Sequence, residues 1–283
     1  MKRINLLFFV ALLSFSLQAQ DESGHAIYVD VYGEGDPILL IPGFTVPGDI
    51  WTPLVDELKS DYECHVVTLA GFGNKAPISF PWLPQVNAAI EDYIAAQALN
   101  DLTVIGHSLG GTIASWLASR ENNLISEIIL VDALPAAGAI MFPDFDPDKL
   151  AYESPYNDQQ LAMSEADFEQ LAGMMAGGMS LNRPAQVQIT EWITTADRQT
   201  YVYGYTDYLK LDMREDLKRI SAPVTILAAD QPYGSAMVTQ TYQNQYTNLS
   251  EYELVIAENS AHFIMLDQPE WFLSQIKIAL ASK

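Results

Sequence analysis

Cysteine is almost absent from this 283-residue chain: Cys64 stands alone, so no disulfide can close within the molecule. It falls in an apolar segment, where a buried, inert thiol is expected rather than a reactive one. Positive charge is scarce too, with 14 Lys and Arg against 36 Asp and Glu and a net charge of −22. So acidic a surface repels nucleic acid and anionic lipid, which excludes both as expected partners; it favours solubility and says little about fold. Long apolar runs are also missing. The one near the start, Leu6 to Leu17, is about a dozen residues against the roughly twenty that a membrane-spanning helix needs. No glycine-rich phosphate loop, nucleotide fingerprint or internal repeat is present, and no metal-ligand cluster, so the expected chemistry calls for no metal and no cofactor.

What is there begins with an address. Met1-Lys2-Arg3, the apolar run and the exit Leu17-Gln18-Ala19 before Asp21-Glu22 have the layout of a secretory signal peptide over residues 1–19, cleaved near Ala19. An exported protein, periplasmic or extracellular, is the expectation. Loss of Lys2 and Arg3 with that segment takes the net charge to −24. The remainder suits one large α/β domain carrying an insertion.

The chain is organised around Leu102 to Arg120. Leu102-Thr103-Val104-Ile105 is a short apolar run of the kind buried on both faces of a sheet, and Gly110 to Arg120 places Ile113, Ala114 and Leu117 on one helix face. Between them lies Gly106-His107-Ser108-Leu109-Gly110, a G-x-S-x-G turn from strand to helix. So sharp a turn strains Ser108, leaves glycine-sized room at 106 and 110, and lifts the Ser108 hydroxyl above the sheet. The first N–H groups of the helix, that of Leu109 among them, are then aimed at an oxygen gaining negative charge.

Strand and helix patterns alternate on either side. Ala26 to Tyr32, Ile38 to Ile41, Cys64 to Leu69, Ile128 to Asp132, Val224 to Ala228 and Leu254 to Ala257 read as further strands. Pro53 to Lys59, Val86 to Leu99, Ser235 to Leu249 and Pro269 to Leu280 read as helices. This alternation predicts a mostly parallel sheet covered on both faces, with ligands beyond the carboxyl ends of its strands. Phe44, Ser108, Asp132, Asp230 and His262 all follow strands. The N–H of Phe44, in the turn Pro42-Gly43-Phe44-Thr45, is a second candidate donor to an oxyanion.

From Ala133 to about Asp212 the strand pattern stops. Ser164-x-x-Asp167 marks a helix start, Pro184 suits the first turn of another, and Ile189, Trp192, Ile193 and Ala196 form one helical face. Met141, Met163, Met174, Met175 and Met179 fall here, with Met213 at the edge. The interval is expected to be a helical cap over the site, with Met174, Met175 and Trp192 meeting the substrate. The core is then 20–132 and 213–283, and the cap 133–212.

On these marks the chain resembles the α/β-hydrolase superfamily, in its cap-bearing, serine esterase-like branch. The marks are Ile41-Pro42-Gly43-Phe44, Gly106 to Gly110, Asp230 after a late strand, and His262-Phe263 with Asp267-Gln268-Pro269 behind it. The resemblance runs from about Ala26 to Leu280 and implies an α/β-hydrolase fold. It also implies a triad in the order nucleophile, acid, histidine: Ser108, Asp230, His262. Two departures stand out. Pro42 replaces a common histidine, and Ala229-Asp230-Gln231-Pro232 is one residue shorter than the family's usual turn. That short turn leaves Asp132, at the end of the strand after the elbow, as the alternative acid. Of the other histidines, His25 is incidental, His65 lacks partner ligands for a metal, and His107 packs rather than reacts.

The implied chemistry is hydrolysis of an apolar carboxylic ester or lactone, a small-molecule substrate, through an acyl-enzyme on Ser108. Amide, peptide or carbon–carbon bond hydrolysis and cofactor-free haloperoxidation use the same triad, and a ligand receptor with little turnover could keep the same fold. Serine at the elbow argues against the dehalogenase and epoxide hydrolase branches, which require aspartate there.

Overall fold

The computed structural model describes residues 24–281 apart from 122 and 143; the signal peptide expected over residues 1–19 lies outside the described residues. Seven strands form one sheet: β1 (Ile27–Tyr32), β2 (Asp36–Ile41), β3 (Tyr62–Leu69), β4 (Leu102–His107), β5 (Ile125–Val131), β6 (Val224–Ala229) and β7 (Glu253–Ala257). Their order is β1-β3-β2-β4-β5-β6-β7. Only β1 runs antiparallel to its neighbour; every other pairing is parallel. Each strand predicted from an apolar run is present, with ends moved by one to three residues.

The central strands are built from Ile, Leu and Val because both of their faces are covered. Side chains alternate across them. Leu39, Ile41, Val104, Ile128 and Leu130 enter one apolar layer, with helices α2 (Trp82–Ala96) and α3 (Leu109–Ala118). Ile38, Leu40, Ile105, Ile129 and Val131 enter the other, with α1 (Thr52–Leu58) and the C-terminal helix. Fully burying each such side chain contributes roughly 1.5–3 kcal/mol, so these layers carry the fold.

Between β5 and β6 the chain leaves the sheet for a helical insertion: α4 (Gly138–Met141), α5 (Pro155–Ala162), α6 (Glu165–Met179), α7 (Arg183–Thr195) and α8 (Tyr205–Lys210). A single π-helical turn, Thr200–Gly204, runs straight into α8. Ser164 caps α6 as its spacing predicts, its hydroxyl oxygen accepting from the Asp167 N–H at 3.2 Å, and Pro184 stands in the first turn of α7. The remaining helices, α9 (Ser235–Gln245), α10 (Ile264–Asp267) and α11 (Pro269–Leu280), belong to the sheet-bearing body.

Helix α2 begins four residues earlier than its apolar periodicity indicates. The reason is distant in sequence: the N–H groups of Trp82 and Leu83 donate to the Asp207 carboxylate at 2.7 and 3.1 Å. A carboxylate there satisfies two donors of the first turn and favours the positive end of the helix. Asp207 also accepts from the Tyr152 hydroxyl, so one α8 side chain fastens the insertion to the body. Among the described residues no helix is long and apolar enough to cross a membrane.

Candidate active site

The turn at the end of β4 has the predicted geometry. Ser108 has φ 52° and ψ −121°, a conformation that costs a non-glycine residue of order 1–3 kcal/mol and persists only where its surroundings hold it. They do so by close packing. A Cβ at Gly106 would run into the Gly110 carbonyl, and one at Gly110 into the carbonyl of Ile41 at the end of β2. The Ser108 carbonyl accepts from the N–H groups of Gly111 and Thr112, so α3 starts at once and Leu109 supplies its first N–H. The Gly43 loop lies against the elbow: a Cβ there would sit 3.3 Å from Ser108 Cβ. Phe44, next in that loop, lines the same cavity as Ser108.

His262 lines this cavity with Ser108, and its partner is Asp132 rather than Asp230. The Nδ1–H of His262 donates to Asp132 Oδ2 at 2.7 Å. Asp132 Oδ1 accepts from the Ala229 N–H at 2.9 Å and the Tyr242 hydroxyl at 3.0 Å. Burial alone would raise the Asp132 carboxyl, but the hydrogen bond and charge of His262, with the Ala229 and Tyr242 donors, outweigh it and hold Asp132 below the usual carboxylate range. Burial, with the same carboxylate beside it, pushes the Tyr242 phenol well above its ordinary value.

Asp230 is corrected by the turn it belongs to. Strand β6 ends at Ala229, and the Gln231 N–H already donates to the Ser260 carbonyl at 3.0 Å. In a turn that short the Asp230 carboxylate meets the Ser260 N–H at 3.3 Å and shapes the loop before His262 without touching the imidazole. Asp132, by contrast, stands just past the central strand β5 with φ 43°, and its carboxylate reaches His262 in the last loop.

His107 packs, as predicted, and in a specific way. Its Nε2–H donates to the His262 carbonyl at 3.0 Å, and its ring lies 4.6 Å from that of His262. Burial, with His262 beside it, pushes His107 down to about 3 against an ordinary 6.5. Between those values the unfolded chain binds a proton that the folded one refuses, so stability is full above about pH 6.5 and lost as the pH falls towards 3. The loss has a limiting slope of about 1.4 kcal/mol per pH unit. Replacing His107 by Gln, which keeps a donor for the His262 carbonyl, is expected to flatten this acid limb. Urea unfolding from pH 4 to 7 checks it; an equally steep limb would show that another group controls it. His65 is tied to Tyr93 and Glu63, each at 2.8 Å, and His25 only edges the Tyr28 ring.

The His262 loop is also fastened to the insertion. The Phe263 N–H donates to the Met179 carbonyl at 3.0 Å. Asp267 accepts from the N–H of Ala261 at 2.8 Å and from the Ser180 hydroxyl and Leu181 N–H beyond α6.

The cavity above Ser108 has a volume of about 570 Å³, well within the range of small-molecule sites. Met175 and Met179 of α6 line it together, being four residues apart on one helix face. Met174, a hundred degrees round that helix, is 64% exposed and takes no part. Trp192 is likewise corrected: it is buried with its ring 6.0 Å from that of Phe263, while its helical neighbours Ile189 and Ile193 reach the cavity. Residue type alone could not separate these pairs; helix phase can. Tyr201, Tyr205 and Tyr208 come from the π-helical turn and α8. Burial raises the Tyr208 phenol above its ordinary value, and its side chain lines the cavity together with Ser108.

A model of the Alpha/beta hydrolase family matches residues 38–275. Among curated proteins the chain is similar to a pimeloyl-[acyl-carrier protein] methyl ester esterase of Vibrio cholerae, 24% identical over 258 residues, covering 89% of this chain and 96% of that one. Among solved structures it resembles an esterase from Exiguobacterium antarcticum, with a TM-score of 0.72, 19% identity and coverage of 88% and 93%. It also resembles an enol-lactonase from Burkholderia xenovorans, with a TM-score of 0.73, 14% identity and coverage of 90% and 96%. Such structural likenesses show the shared fold.

Proposed function

We propose that this chain, which belongs to the alpha/beta hydrolase family, hydrolyses carboxylic esters through an acyl-enzyme on Ser108. The observation that carries the reading is the 2.7 Å contact of His262 with Asp132, on the wall of the cavity that Ser108 also lines. With its proton on Nδ1, His262 presents Nε2 as the base that takes the Ser108 proton. Ser108 Oγ attacks the carbonyl carbon, and the N–H groups of Phe44 and Leu109 hold the oxyanion. His262 returns the proton to the leaving alcohol; water, activated in the same way, releases the acid and restores Ser108. Asp132 fixes the tautomer of His262 and stabilises the imidazolium. The relatives named as esterases support the ester as substrate, and a lactone fits as an internal ester. The basic start, apolar run and small-residue exit of the first 19 residues support an exported enzyme.

The test is a screen against nitrophenyl esters of increasing chain length, lactones and aminoacyl amides, with Ser108→Ala as the blank. Ester hydrolysis that survives in the blank would remove Ser108 from the mechanism. The same screen reads the insertion. Met175→Ala is expected to move the preferred chain length and change ratios of kcat/KM by about tenfold, the size of one or two methylene contacts. Met174→Ala should leave the ranking unchanged. An altered ranking with Met174→Ala alone would reverse the assignment of the two side chains.

A further inference from the structure

We propose that the cavity selects by charge: it accepts esters whose acyl arm is uncharged and rejects those carrying a second, free carboxylate. The inference rests on the esterase reading and goes further, to the class of ester. Among the described residues the cavity wall holds no Lys or Arg. Its polar groups are the serine, threonine, glutamine and tyrosine side chains, the two histidines and Asp132. Of these, His107 is held neutral by burial, and His262 is already engaged by Asp132. The phenols of Tyr201 and Tyr205 meet the sulfur atoms of Met175 and Met141, each at 3.4 Å, so these two hydroxyls are turned to apolar partners.

A carboxylate entering such a wall loses its water and gains no cation, with the Asp132 charge already in place; an isolated charge is costly to bury and a like charge adds to the cost. The approach is no kinder. Residues 133–212, which supply much of the wall, hold 12 Asp and Glu against four Lys and Arg. Two of those four are occupied, Lys149 by Asp146 and Arg198 over the Phe168 ring. An uncharged ester meets none of these penalties, and the apolar side chains of Ile140, Met175, Ile189 and Ile193 cover its methylenes. The carboxylate set free by hydrolysis is itself the species this wall repels, which favours release of the product.

A diester tests this with one substrate. On dimethyl adipate the enzyme is expected to remove one methyl group and stop, so that monomethyl adipate accumulates. Measured separately, monomethyl adipate should have a kcat/KM lower than dimethyl adipate or methyl hexanoate by about 100-fold or more, as an unpaired buried charge implies. The neutral amide of the same half-ester should stay within about tenfold of the diester, which separates charge from polarity and size. Passage of the diester through to adipic acid without accumulation, or an amide as poor as the acid, would overturn the proposal. Failure of all four compounds and of nitrophenyl esters would instead remove the esterase reading beneath it.

Discussion

Asp132→Asn is expected to leave the protein folded and to cut turnover by up to about four powers of ten, while Asp230→Asn stays within about tenfold of the parent. The carboxylate accepts on both oxygens: Oδ1 from the Ala229 N–H and the Tyr242 hydroxyl, Oδ2 from His262 Nδ1. Asparagine keeps an acceptor for the first pair, so the β5 and β6 ends remain joined. Its amide NH₂ then faces Nδ1, which must give up its proton and accept instead. The proton moves to Nε2, and a nitrogen carrying a proton cannot take one from Ser108. Steady-state kinetics with circular dichroism as the check on folding read this out. Among the described residues the Asp230 carboxylate accepts a backbone N–H from Ser260, a contact that asparagine can keep. Loss of turnover in Asp230→Asn with a normal Asp132→Asn would return the acid to Asp230.

These two aspartates also mark where sequence stops being informative. The sheet was legible because Ile38 to Ile41, Leu102 to Ile105 and Ile128 to Val131 are buried on both faces, so the runs are apolar but for Thr103. The elbow was legible because its chemistry requires glycine at fixed offsets from the serine, and backbone packing at Gly106 and Gly110 enforces it. Chain order, by contrast, contains no direction. Asp132 and Asp230 both follow strands, and the choice depends on a φ of 43° at one and a short turn at the other. Met174 and Met175 differ only by helix phase, set by the packing of Phe168, Ala172 and Ala176 beneath. The Asp207 cap on α2 spans 125 positions and leaves no local trace.

The second large effect is expected at Ser108 itself. Ser108→Ala removes the attacking oxygen, and turnover should fall by about six powers of ten, leaving what the oxyanion donors and binding alone provide. His262→Ala should lose nearly as much, and the double variant hardly more, because the two act as one unit. Non-additivity of this kind separates a shared chemical step from two independent losses of stability.

A covalent acyl-enzyme on Ser108 activated by His262 is read out by reaction with an organophosphonate followed by mass spectrometry of the intact protein and its peptides. One equivalent of adduct is expected, mapped to Ser108, forming fast in the parent, slowly in His262→Ala and not at all in Ser108→Ala. An adduct on another serine, or fast labelling of Ser108 without His262, would contradict it.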